Sequence, residues 1–155
     1  MRFVAIADTH DNVFAIRDLL GELKKEKFEF LVHAGDVISP FALREFEGID
    51  KKIYLAFGNN DGDKNLLMNV ISKNNWIAAE IVPFPDGVVY HGTDKNVVEI
   101  LKKLKVRFLI VGHSHKAKVE KGDVILINPG EVCGYLTGKR SYAIIDDENV
   151  NIVEF

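Results

Sequence analysis

The sequence holds a single cysteine, Cys133, in 155 residues. Without a partner it makes no internal disulfide, so packing alone must hold the fold, and a reducing, cytoplasmic location is expected. Long apolar runs are also missing: none approaches the roughly 20 residues that cross a bilayer. Basic charge is not in excess either, with 20 Lys and Arg against 23 Asp and Glu and a net charge of -3. Nothing therefore points to nucleic acid or an anionic membrane as a partner. The lysine clusters Lys24, Lys25, Lys27 and Lys102, Lys103, Lys105 are interleaved with Glu or apolar residues and read as solvated helix faces. No small-residue cleavage site follows the first apolar stretch, so no signal peptide is expected. Linkers, repeats and low-complexity segments are absent as well. The chain reads as one domain, residues 1–155, and its 47% hydrophobic and 28% charged residues fit a soluble globular protein with one substantial core.

What is present is an ordered series of short apolar runs. Arg2 to Ala7, Phe30 to Ala34, Ile53 to Phe57 and Val106 to Val111 are too short for helices and read as buried strands. Between them, Val13, Ile16, Leu20 and Leu23 have helical spacing behind a cap at Asp11 or Asn12. Ser39-Pro40 opens a short helix through about Phe46, and Asp63 caps another that carries Leu67, Val70 and Ile71 on one side. After Trp76, the runs Ile77 to Val82 and Val88 to Tyr90 flank the turn Pro85-Asp86-Gly87 and predict a hairpin. A last helix is expected over Lys95 to Leu104, with Val97, Leu101 and Leu104 inward, and the remainder is strand-rich. A βαβα half followed by a more antiparallel half predicts a layered α/β domain.

Each strand-like run delivers a polar station. Asp8-Thr9-His10, Gly35-Asp36, Gly58-Asn59-Asn60-Asp61, His91-Gly92 and Gly112-His113-Ser114-His115 follow the runs in order. Ligands gather beyond the carboxyl ends of strands in such sheets. Alone, each station has a plain reading: a helix entry, a turn, a loop. Together they offer as donors four of the five histidines, the two carboxylates of Asp8 and Asp36 and one or more amides. That exceeds the need of one four-coordinate zinc and lacks a thiolate cluster, so it suits two divalent cations in mixed N/O coordination. Two cations outweigh two carboxylates and a shared hydroxide, leaving a surplus positive charge suited to a phosphate ester. The fifth histidine, His33, lies out of register with Asp36 on its strand and reads as a hydrogen-bonded core or supporting residue. Cys133 reads as a packed or loop thiol, and Trp76 and the phenylalanines as core or interface.

On these motifs the sequence resembles the calcineurin-like metallophosphoesterase family over nearly its whole length. Asn128-Pro129-Gly130-Glu131 with Cys133-Gly134-Tyr135 is similar to its small single-domain prokaryotic branch, the archaeal phosphodiesterases in particular. The resemblance implies a four-layer α/β/β/α sandwich of two mixed sheets flanked by helices. It implies two divalent metal ions drawn from Mn, Ni, Co, Fe or Zn. Asp8, His10, Asp36 and His115 would hold one, and Asp36 would bridge to a second completed by Asn59, His91 and His113. A metal-bridging hydroxide would attack a small-molecule phosphate ester in line, with Asp36 and Asn59 in the catalytic machinery and Asn60 at the substrate. Family habit also suggests a homodimer.

Two positions depart from the family pattern. Asn60 stands where the family often has a histidine, and Thr93 follows His91-Gly92 where a histidine or other polar group is frequent. An amide donates a hydrogen bond but delivers no proton, so a bias toward readily departing leaving groups is expected. No arginine clamp for a dianionic monoester is evident unless Arg17, Arg44, Arg107 or Arg140 folds back, which favours diesters. The rival reading is a retired enzyme used as an interaction scaffold, like the retromer's phosphoesterase-like component. All seven ligand positions being filled favours the enzyme.

Overall fold

The structure, a computed structural model, describes residues 1–155. In chain order it runs β1 (Arg2–Ile6), α1 (Val13–Leu23), β2 (Phe30–His33), α2 (Pro40–Arg44), a 3-10 turn (Glu45–Gly48) and β3 (Lys52–Ala56). It continues with α3 (Lys64–Lys73), β4 (Ile77–Ala79), β5 (Ile81–Phe84), β6 (Gly87–Tyr90), α4 (Lys95–Leu101) and β7 (Phe108–Ile110). Four strands close it: β8 (Lys118–Glu120), β9 (Ile125–Asn128), β10 (Ser141–Asp146) and β11 (Asn149–Glu154).

Alternation along the strands sets the layers. On β1, Val4 and Ile6 pack with Ile16, Leu19 and Leu23 of α1 and Leu67, Val70 and Ile71 of α3. Phe3 and Ala5 point the other way, into a second cluster with Val82, Val89, Phe108, Ile110 and Ile127. That inter-sheet core centres on Phe3, whose ring stacks on Phe30 at 5.0 Å and meets Phe84 and Phe108 at 5.4 and 5.5 Å. Truncating such a ring costs about 3–5 kcal/mol. A third cluster puts Leu101 of α4 against Val88, Leu109 and Leu126 on the outer face of the second sheet. The result is helix, sheet, sheet, helix, as expected.

The first sheet has the order β11-β10-β1-β2-β3-β4, with β1 to β4 parallel and β10 antiparallel to β1. The second has the order β5-β6-β7-β9-β8. Its centre, β6, β7 and β9, is parallel and only the edges β5 and β8 run against it, so the second half of the chain is less antiparallel than its short strands suggest.

Other details also differ from the sequence reading. The run Ile77 to Val82 is not one strand: Ile77–Ala79 extends the first sheet, and Ile81–Phe84 forms the predicted hairpin with β6 in the second. Helix α4 stops at Leu101, leaving Leu104 exposed rather than inward. Of the two expected candidates for the cap of α1, it is Asn12 that serves, accepting from the Ala15 N–H. The Asp11 carboxylate instead accepts from the N–H and hydroxyl of Ser39, tying the entries of α1 and α2 together. Trp76, Phe46 and Phe84 are core, whereas Phe14, Phe41 and Tyr135 are exposed.

Candidate metal centre

Strands β1, β2 and β3 are parallel in one sheet, as are β6 and β7 in the other, so within each sheet the strand ends lie along one edge. Each chain segment then turns sharply. Asp8, His10, Asp36, His113 and His115 all have φ between 41° and 65°, the left-handed region that Asp and His tolerate better than most residues. The turns are held from outside: the N–H groups of Asp8 and His10 donate to the carbonyls of Gly35 and Asp36, and Gly112 donates to His91. Glycine is required where segments nearly touch. A Cβ on Gly58 would lie 2.1 Å from Asp36 Oδ1, and one on Gly35 2.7 Å from His91 Nδ1.

The predicted residues converge. His10 Nε2 lies 3.3 Å from Asp36 Oδ2 and 3.7 Å from Asp8 Oδ1, and His115 Nε2 lies 3.5 Å from Asp8 Oδ1. On the other side of Asp36, His91 Nε2 is 3.3 Å from Asp36 Oδ2 and 3.0 Å from Asn59 Oδ1, while His113 Nδ1 is 3.1 Å from that same Asn59 oxygen. Asp36 thus stands between two groups of donors.

Their chemistry fits cations. His91 Nδ1–H donates to the Ala34 carbonyl at 2.6 Å, which leaves the Nε2 lone pair facing two oxygen acceptors. Asp8 Oδ1 and His10 Nε2 are buried with no hydrogen-bond partner. Acceptors facing acceptors in a buried pocket are costly unless a positive charge lies between them. Protons feel that field too: Asp36 first and Asp8 second raise the His10 imidazole to about 9. Burial opposes a charge on His91, yet Asp36 and Ala34 outweigh it and raise that pKa as well. Burial also works against the Asp36 carboxylate, but His10, His91 and Asn60 hold it below the usual carboxylate range.

Comparison with known proteins gives the family of the chain. Residues 1–149 match the calcineurin-like phosphoesterase superfamily domain. The chain belongs to that superfamily. It is 35% identical to a phosphodiesterase of Methanocaldococcus jannaschii, over 96% of this chain and 94% of that protein. A solved archaeal phosphodiesterase superposes with a TM-score of 0.93 at 33% identity, all of both chains being covered. Vps29 of Entamoeba histolytica, at 17% identity and a TM-score of 0.71 over 100% and 99% of the two chains, shares the fold.

Around the donors of this phosphoesterase lies a shell that the sequence reading did not assign. Glu131, wholly buried, accepts from His115 Nδ1 at 2.5 Å and from Cys133 Sγ, both backbone amides of Leu136 and Thr137, and the Thr137 hydroxyl. Burial disfavours its charge, but His115 and Thr137 hold it down to about 2. Cys133, read as a packed or loop thiol, is packed: it is buried against that pair, and burial pushes it up to about 12. Asp61 accepts from the N–H groups of Gly58, Asp36 and Ile38, binding the second and third loops to each other. His33 is the supporting residue expected: its Nδ1 accepts from Gly35 N–H, so Nε2–H donates to Thr9 Oγ1. Asn60 spends one amide hydrogen on Asp36 Oδ2 and its backbone N–H on Oδ1. Of the four arginines considered, Arg17, Arg107 and Arg140 are paired with Glu45, Glu148 and Asp18, while Arg44 lies exposed at the end of α2 without an ion pair.

Proposed function

We propose that residues 1–155 act as one phosphodiesterase domain in which Asp8, His10, Asp36 and His115 hold one divalent cation. Asp36, Asn59, His91 and His113 would hold a second, with Asp36 common to both sets. The observation that carries this reading is the set of unpaired or mutually facing acceptors around Asp36. Bound there, the cations supply an activated water and offset the charge that develops at phosphorus.

The chain does the rest. Ala34 and Glu131 fix the ring orientations of His91 and His115, so that each presents a lone pair inward. Asp61 keeps the Gly58 and Asp36 loops in register. Exposed His113, Asn59 and Asn60 stand at the mouth, where Asn60 has an amide hydrogen left to offer a phosphate oxygen. Water adds to phosphorus as the ester P–O bond breaks, and the proton that the water gives up reaches the departing alcohol by way of solvent, since the Asn60 amide supplies none. Arg17, Arg107 and Arg140 are committed to carboxylates and not free to clamp a dianion, which supports a diester over a monoester.

Mixed N/O donors suit Mn, Ni, Co, Fe or Zn, with manganese and nickel our first choices. No helix is long and apolar enough to cross a membrane, and the lone buried thiol supports a cytoplasmic setting. A homodimer would have exposed Phe41 and Tyr135 to cover. The scaffold alternative, for which Vps29-like folds are the precedent, explains neither the complete donor set nor its supporting bonds. A screen of aryl phosphomonoesters and diesters with Mn, Ni, Co, Mg and Zn tests the proposal, using His113→Ala as control. Metal-dependent diester hydrolysis lost in that variant is expected; hydrolysis indifferent to metal and to His113 would sink it.

A further inference from the structure

Beside the metal centre lies a groove of about 530 Å³, within the size range of small-ligand sites. It is lined by Gly92, Gly112 and Ser114, which stand next to His91, His113 and His115 in the chain. The groove therefore shares its backbone with the donors. Its outer wall carries Lys95, Lys102, Lys116 and Lys118 against one carboxylate, Glu120, on a chain whose net charge is -3. Lys102 and Lys118 are both paired with Glu120, at 3.2 and 2.8 Å, and Lys102 also with Glu99. Lys95 and Lys116 are exposed and make no ion pair. They flank the groove from two different elements, the start of α4 and the segment after His115. Val98, Val111 and Leu126 supply an apolar floor.

We propose that this groove receives one arm of the diester, and that the preferred arm is a nucleotide-sized group bearing a second phosphate, held by Lys95 and Lys116. The proposal rests on the phosphodiesterase reading and extends it to substrate class. Two unpaired ammonium groups favour a phosphate through charge-assisted hydrogen bonds, the apolar side chains accommodate a base, and the volume matches an arm of small-molecule size.

Two measurements test it on the full-length protein. With metal present, kcat/KM is compared for bis-(para-nitrophenyl) phosphate and for the para-nitrophenyl ester of a nucleotide carrying a second phosphate on its sugar. In the Lys95→Gln/Lys116→Gln variant, kcat/KM should fall about tenfold for the doubly phosphorylated substrate and less than about twofold for the bis-aryl one. Separately, binding of a nucleoside bisphosphate to the metal-free protein is measured by titration, with the unphosphorylated nucleoside as reference. Tighter binding of the bisphosphate, weakened by salt and by the double substitution, is expected. Equal losses on both substrates, or a bisphosphate that binds no better than the nucleoside, would overturn the groove assignment. Absence of bis-aryl hydrolysis by the unaltered protein would instead remove the phosphodiesterase reading, and the binding arm would still judge the groove.

Discussion

His115 and Glu131 meet at 2.5 Å through His115 Nδ1 and Glu131 Oε2, beneath the cluster of proposed metal donors. The other carboxylate oxygen, Oε1, is fixed by the N–H and hydroxyl of Thr137 and by the Leu136 N–H. Glu131→Gln must therefore place its amide nitrogen on the His115 side, where two donors face each other. The imidazole then escapes by carrying its proton on Nε2, the atom turned toward Asp8. Metal affinity at the Asp8, His10 and His115 group should drop about 10–100-fold, as read by metal titration with the fold monitored by circular dichroism. Unchanged affinity in a folded variant would contradict the role given to Glu131.

Chelation should abolish diester hydrolysis and lower the melting temperature, because the buried acceptors around Asp8 Oδ1 and His10 Nε2 lose the positive charge proposed between them. Free metal at about one hundred times its Kd stabilises by about 2.7 kcal/mol per site. For a chain of this size that is about 5–10 °C. Replacing either Asp8 or His10 by Ala should erase most of this metal-dependent shift. A melting curve indifferent to metal would contradict the assignment.

His33 gives the protein an acid-sensitive element. Burial lowers its pKa to about 3, with His91 opposing the charge as well. Below pH 6.5 the unfolded chain takes up a proton that the folded chain refuses until about pH 3, so stability falls as the pH drops through that window. The loss should amount to a few kcal/mol at the acid end. Urea midpoints of the metal-free protein measured from pH 7 downward should fall more steeply for the unaltered chain than for His33→Gln. Parallel curves would show that His33 titrates normally.

Asn60→His should change the dependence on leaving group more than the rate itself. The imidazole gains a proton to give but forfeits the amide bond to Asp36 Oδ2 at 2.9 Å. Across a series of aryl phosphodiesters, rates for poor leaving groups should rise, by about tenfold or more, while good ones stay level or decline. A uniform change over the whole series would argue against proton delivery from this position.

The strands and their polar stations were legible because a short apolar run followed by Asp, His or Gly-Asn carries its meaning locally. The supporting carboxylates were not. Asp61 acts on a loop 25 residues away, and Glu131 on a histidine 16 residues away; in sequence each is only an acidic residue in a turn. The division of Ile77 to Val82 was equally hidden, since both pieces look like edge strand and nothing in their composition says which sheet each joins. Helix α4 was overextended because Leu104 keeps the helical spacing but finds no layer to cover it.

That switch near Glu80, where the backbone leaves one sheet for the other, has a mechanical result. Everything before it, from Asp8 through Asn59, belongs to one slab of the sandwich; His91, His113 and His115 belong to the opposite slab. Cations gripped between them would act as rivets through both plates, so that shearing the slabs apart and emptying the centre become a single event.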